Sequence, residues 1–276
     1  MSVYTIFISI LLFFTSCNRQ NATTDESSNL TFDVNKAVKE AIYIESLQEN
    51  DELLLIDRFL PPNGYEVLRS DSNSFAHYLQ YLPLKPQGTK VKYYDGTIKN
   101  NDFVYCSVVD QDIDAVDLQQ CADAVMRLRG EYLYHKKRYD EIKFNFLSDG
   151  KPRYFSDYAK NDYSYTKFRK YMKYIFGYAN TASLKAELST RQIMEMQIGD
   201  VLVQRGNPYG HAVIVVNMAE NKKGDKVFML AQSYMPAQEI QILINPKIED
   251  SPWYELNEND IYTPEWTFYS GDLKHF

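Results

Sequence analysis

The chain's 276 residues are 45% hydrophobic and 24% charged, the balance of a globular protein with a sizeable core and not of a disordered or fibrous one. A net charge of −7 and a pI of about 5.2 exclude non-specific binding to nucleic acid, because an acidic surface repels phosphates. Three cysteines are too few for a disulfide framework. The four histidines, at 77, 135, 211 and 275, lack zinc spacing, and no Gly-rich phosphate loop occurs, so neither a metal nor another cofactor is expected.

Residues 1–16 carry no charged side chain, and Ile6 to Phe14 form an apolar run. The run is too short to span a bilayer, which needs roughly 20 helical residues, so it reads as the core of a signal peptide. Thr15 and Ser16 precede Cys17, and this junction resembles the lipobox of bacterial lipoproteins, although Phe14 stands where leucine is usual and no Lys or Arg precedes the run. The resemblance implies export, lipidation of Cys17 and anchorage to a bacterial membrane in the cell envelope; the alternative is an ordinary cleaved leader. Residues 17–33 are polar and read as a flexible tether, leaving 34–276 as a single domain.

Within that domain, helical spacing covers 34–49, Pro61 to Gly64 punctuate the chain, and a second helix is expected near Ser74 to Leu82. Lys90 to Lys99 reads as a hairpin around Asp95-Gly96. A strand follows at Phe103 to Val109, with Cys106 on its Val104/Val108 face as a buried, inert thiol. After Asp117 the period lengthens, and Leu118, Cys121, Val125, Leu128 and Tyr132 line one helical face. Two more helices are expected at 164–178 and 181–188. The first is amphipathic, with Phe168, Tyr171, Ile175 and Tyr178 as its buried stripe, which explains its aromatic content without invoking a membrane or a sugar. From Ile198 onward GDVLVQ, HAVIVV and KVFMLAQ alternate with turn residues, so the fold class is α+β with an antiparallel sheet late in the chain.

Three side chains attract a chemical reading. Asp117 is a natural N-cap and Gln120 can close a capping box, which puts Cys121 in the first helical turn, where free N–H groups and the helix dipole favour thiolate. A small core cysteine is the alternative. His211 opens an apolar strand directly after the Gly206–Gly210 loop, where a scaffold presents side chains to a cleft; a hydrogen-bonded structural histidine is the alternative. Gln232 is an amide on the Phe228/Leu230 face of an apolar strand and needs a partner, either His211 on a neighbouring strand or backbone and water. Cys106 and Cys121 could also pair with each other.

In order, a cysteine at a helix start, a GDV strand, a Gly-His strand and a strand ending in a polar residue resemble the papain-like cysteine hydrolases of the NlpC branch. That resemblance implies a core at about 115–245 in which a nucleophile helix packs on the C-terminal sheet. It assigns Cys121 as nucleophile, His211 as base and Gln232 as orienting residue, with Asp117, Gln120 and Tyr234 as candidate binding residues. The branch usually has Asp-Cys-Ser-Gly where this chain has Gln120-Cys121-Ala122-Asp123. The expected activity is hydrolysis of an amide bond in peptidoglycan peptides; the alternative is a non-catalytic lipoprotein that binds wall fragments or a protein partner. Segments 74–85, 117–134, 210–216, 230–238 and 263–268 also resemble a family of uncharacterised bacterial lipoproteins carrying a domain of unknown function, which contributes no activity of its own.

Overall fold

The computed structural model describes residues 53–276; the signal peptide, Cys17, the tether and the helix expected at 34–49 lie outside the described residues. In chain order the elements are α1 (Leu55–Arg58), β1 (Tyr65–Val67), α2 (Phe75–Gln80), β2 (Tyr105–Val108), α3 (Cys121–His135), β3 (Lys143–Asn145), β4 (Pro152–Tyr154), α4 (Phe155–Ala159), α5 (Tyr165–Phe176), α6 (Thr181–Glu187) and β5 (Ser189–Thr190). There follow β6 (Val201–Gln204), β7 (His211–Asn221), β8 (Lys226–Gln232), β9 (Gln241–Leu243), β10 (Tyr254–Glu255), β11 (Ile261–Tyr262), β12 (Thr267–Phe268) and β13 (Leu273–His275). This is an α+β arrangement. None of the described helices is long and apolar enough to cross a membrane.

The three late apolar segments form the middle of a nine-stranded antiparallel sheet in the order β2-β9-β8-β7-β6-β13-β5, with β1 added on β7 and β10 on β8. Side chains alternate between faces along a strand. Ala212, Ile214 and Val216 of β7 therefore enter one core with Ala122, Val125 and Leu128 of α3 and Phe168, Tyr171 and Ile175 of α5. Val213 and Val215 enter a second core with Leu202, Leu230, Phe268 and Leu273. Both faces of β7 are covered, which is why its sequence reads as one apolar run; each such side chain removed from water contributes roughly 1.5–3 kcal/mol. Helices α3 and α5 approach closely at Gly130, where a Cβ would sit 3.0 Å from Met172 Sδ and 3.3 Å from Phe168 Cζ.

Three expectations change in detail. Cys106 does not share the Val104/Val108 face: a register shift between Tyr105 and Ser107 turns it toward the helix-side core, while Val104 and Val108 pack in the other, as expected when a bulge interrupts alternation. The segment 90–99 does turn back at Asp95-Gly96, with Tyr93 N–H donating to the Thr97 carbonyl and Lys99 N–H to the Val91 carbonyl, each at 2.8 Å, but its pairing is limited to the Lys92–Ile98 bridge. Tyr178 lies beyond the end of α5 and is 57% exposed, so the buried stripe stops with Ile175 and Phe176.

Candidate active site

Helix α3 begins at Cys121, which keeps that residue in the first turn, but its N-cap is Gln120 and not Asp117. The Asp123 carboxylate accepts the Gln120 N–H at 3.0 Å. Asp117 lies too far upstream to cap and does a different job: its Oδ1 accepts from Gln120 Nε2 at 3.0 Å and from the Ala237 N–H at 2.7 Å. Ser233 Oγ donates to the Gln119 carbonyl at 3.1 Å. These bonds tie the end of β8 to the start of α3, while Asp117 stays exposed and Gln120 half-buried.

The Cys121 sulfur lies 3.9 Å from Thr181 Oγ1 and 4.0 Å from the Gly210 carbonyl oxygen, with the Ala212 N–H directed to it. It therefore faces the backbone on both sides of His211. Gly210 can be nothing larger, because a Cβ there would meet the Gln204 carbonyl oxygen at 2.3 Å. Cys121 is only 4% exposed, and burial pushes its thiol up, against the Ala212 N–H and with a further push from Asp123. The expectation of a thiolate at the helix start is thus corrected: a helix terminus contributes at most about 2 kcal/mol, which desolvation of an unpaired anion outweighs. Asp123 is buried too, and its carboxyl is raised to about 8 for the same reason.

His211 has no exposed surface. Its ring packs against Tyr234, Trp266 and Phe268, with centroids 4.8, 5.4 and 5.8 Å away. Nε2 bonds Gln232 Oε1 at 2.7 Å, which settles the two alternatives for Gln232 in favour of the imidazole. Nδ1 is buried with no hydrogen-bond partner, the Cys121 thiol included. Burial lowers the ring's pKa to about 4, against the bond to Gln232 and helped by Lys99. Both His211 and Cys121 are therefore sealed and neutral, and the open cleft expected beside the Gly206–Gly210 loop is closed. Cys106 and Cys121 are free thiols, not a disulfide.

The strand order unites Cys121, His211 and Gln232, with Tyr234 against the ring. Two neighbours escaped the sequence reading. Gln232 Nε2 donates to Glu265 Oε2 at 2.7 Å, and Lys99 Nζ reaches both Glu265 oxygens at 3.0 and 3.1 Å. Lys99 is 4% exposed and lies 5.8 Å from the Tyr234 ring centre. A charged residue beside Trp266, in a segment otherwise rich in strand formers, was the available signal for Glu265; nothing local distinguished Lys99. Among the described residues no group of His, Cys, Asp and Glu side chains converges as metal ligands. A cavity of about 440 Å³ opens elsewhere, on the flank of α3 between Tyr78, Asp112, Arg127, Glu131 and Arg169.

Neither a curated protein nor a solved structure matches the chain. A family defined as a domain of unknown function, DUF4846, matches residues 55–275. The match takes in every described element and all the site residues above, and the chain belongs to the DUF4846 family.

Proposed function

We propose that this chain is a cell-envelope lipoprotein, held to a bacterial membrane by a lipid on Cys17, whose papain-like core hydrolyses an amide bond in peptidoglycan peptides. The observation that carries the reading is the orphaned Nδ1 of His211. A buried polar atom without a partner costs about 1–3 kcal/mol, and a catalytic role is one explanation for such an atom. Here the other ring nitrogen is held by an amide, and the sulfur of Cys121 abuts the backbone on either side of the ring. A nucleophile, a base and an orienting group are the parts that acyl transfer needs.

In this mechanism the Cys121 sulfur attacks the substrate carbonyl while His211 Nδ1 takes the thiol proton, and Gln232 stabilises the resulting imidazolium through Nε2–H. N–H groups at the start of α3 receive the oxyanion. The imidazolium returns its proton to the departing amine, and water releases the acyl group from sulfur by the reverse sequence. Because thiol and ring are both neutral and covered at rest, substrate must displace the exposed 206–210 loop before the proton can pass.

The sealing of both groups favours a second reading, a non-catalytic lipoprotein that binds wall fragments or a protein partner. Digestion of purified peptidoglycan, read by mass spectrometry, separates the two. The hydrolase reading expects new amine and carboxyl termini with the native chain and none with Cys121→Ala, at unchanged circular dichroism. Intact muropeptides with every wall preparation, together with a Cys121 that resists alkylation in the folded protein, would leave the binder. The anchor is tested separately, by the mass of the mature N-terminus and its loss in Cys17→Ser.

A further inference from the structure

We infer that Glu265, held by Lys99, is a positioning residue that dictates which nitrogen of His211 carries the proton. The use of this control in catalysis rests on the hydrolase reading; the control itself does not. An ionised carboxylate only accepts hydrogen bonds, an ammonium only donates, and an amide does one at each end. Lys99 Nζ bonds both oxygens of Glu265, and Glu265 Oε2 stands 2.7 Å from the Gln232 amide. That amide must present its NH₂ to Glu265, because the flipped orientation would set oxygen against oxygen. Its carbonyl end is then the one that faces the ring, 2.7 Å from His211 Nε2. An amide oxygen accepts, so Nε2 must bear the hydrogen, and a neutral imidazole has only one. The lone pair is left on Nδ1, the atom that finds no partner inside the protein.

The relay has a direction because both Glu265 oxygens only accept, and one isosteric change removes that constraint. Lys99 Nζ lies equally near both oxygens, so the amide of Glu265→Gln can offer Gln232 either its oxygen or its NH₂; in the second case Gln232 turns its own NH₂ to the ring, Nε2 becomes the acceptor and the proton moves to Nδ1. Glu265→Asp keeps an acceptor-only group and preserves the original direction.

Nitrogen-15 spectra of the full chain with labelled histidine, at pH 7, read the tautomer directly. The native protein is expected to show His211 protonated only at Nε2, as is Glu265→Asp, while Glu265→Gln shows a mixture with the Nδ1–H form. For turnover, the glutamine variant loses kcat in proportion to its Nδ1–H fraction with KM little changed, since that fraction lacks the general base. Native His211 protonated at Nδ1 overturns the inference without any variant, and so does a folded Glu265→Gln protein that shows only the Nε2–H form. A tautomer that switches in a protein with no hydrolytic activity upholds Glu265 and removes the hydrolase; turnover with an unswitched tautomer does the opposite.

Discussion

Cys106 and Cys121 are both free and both held above the ordinary thiol range by burial, yet their surroundings differ in kind. The Cys106 sulfur donates a weak bond to the Ile242 carbonyl at 3.6 Å, across the β2–β9 pairing, and no side chain stands ready to take its proton. Cys121 has a hydroxyl and a carbonyl within reach, an N–H directed at it, and next to that backbone an imidazole with an unengaged nitrogen. Desolvation alone therefore separates neither a nucleophile from a filler nor an active site from a core. On the hydrolase reading, what separates them is whether a proton acceptor has been kept unsatisfied nearby.

The sharpest way to break this comparison is to remove each sulfur in turn. Cys121→Ala is expected to lower amide hydrolysis at least about 10³-fold, as loss of a covalent nucleophile does, whereas Cys106→Ala leaves the rate within about twofold of native. Equal losses in two folded variants would erase the distinction.

Acid and base should also act on one thiol's neighbourhood and not the other's. His211 is lowered to about 4, so the unfolded chain takes up its proton first and stability falls as pH drops from about 6.5 to 4, by up to roughly 3 kcal/mol. Asp123 has the opposite sign. Its carboxyl is raised to about 8, so the folded chain keeps a proton that the unfolded chain has lost, and stability falls as pH rises from about 4 to 8. Between pH 6.5 and 8 only Asp123 of this pair contributes. Urea midpoints in that window should decline for the native protein and decline less for Asp123→Asn, whose amide can still accept from the Gln120 N–H. Parallel declines would show that Asp123 is ionised in the folded state.

How far the sequence revealed this arrangement depended on whether the information was local. The 3.6-residue spacing through Val125, Leu128 and Tyr132 located α3, though not its cap, and the doubly buried strands announced themselves by apolar runs. Gln232 was legible because it breaks the apolar pattern of its strand, and Cys121 and His211 because each stands at the start of its element. Lys99 and Glu265 were not, since a charged residue near a turn is normally solvated and only the tertiary packing pairs these two across 166 positions. The bulge that turns Cys106 away from Val104 and Val108 was equally hidden: alternation assumes an unbroken ladder. The dipole argument at Cys121 failed for a related reason, because it counts the helix's own N–H groups but not the burial that the sheet imposes.

The smallest expected effect concerns the quieter thiol. Cys106 is partly buried on β2 against the helix-side core and makes one weak bond, so Cys106→Ala deletes a sulfur's worth of packing from a site already irregular at Tyr105/Ser107. The expected loss is about 1 kcal/mol, toward the low end for removing one buried group, because a bulged strand can partly relax into the space. For a domain of this size that is a fall in Tm of about 2–4 °C, with alkylation of Cys121 in the folded protein unchanged. A faster-labelled Cys121 in that variant would mean that the two sulfurs share one opening motion, and that the region around β2 helps to keep Cys121 covered.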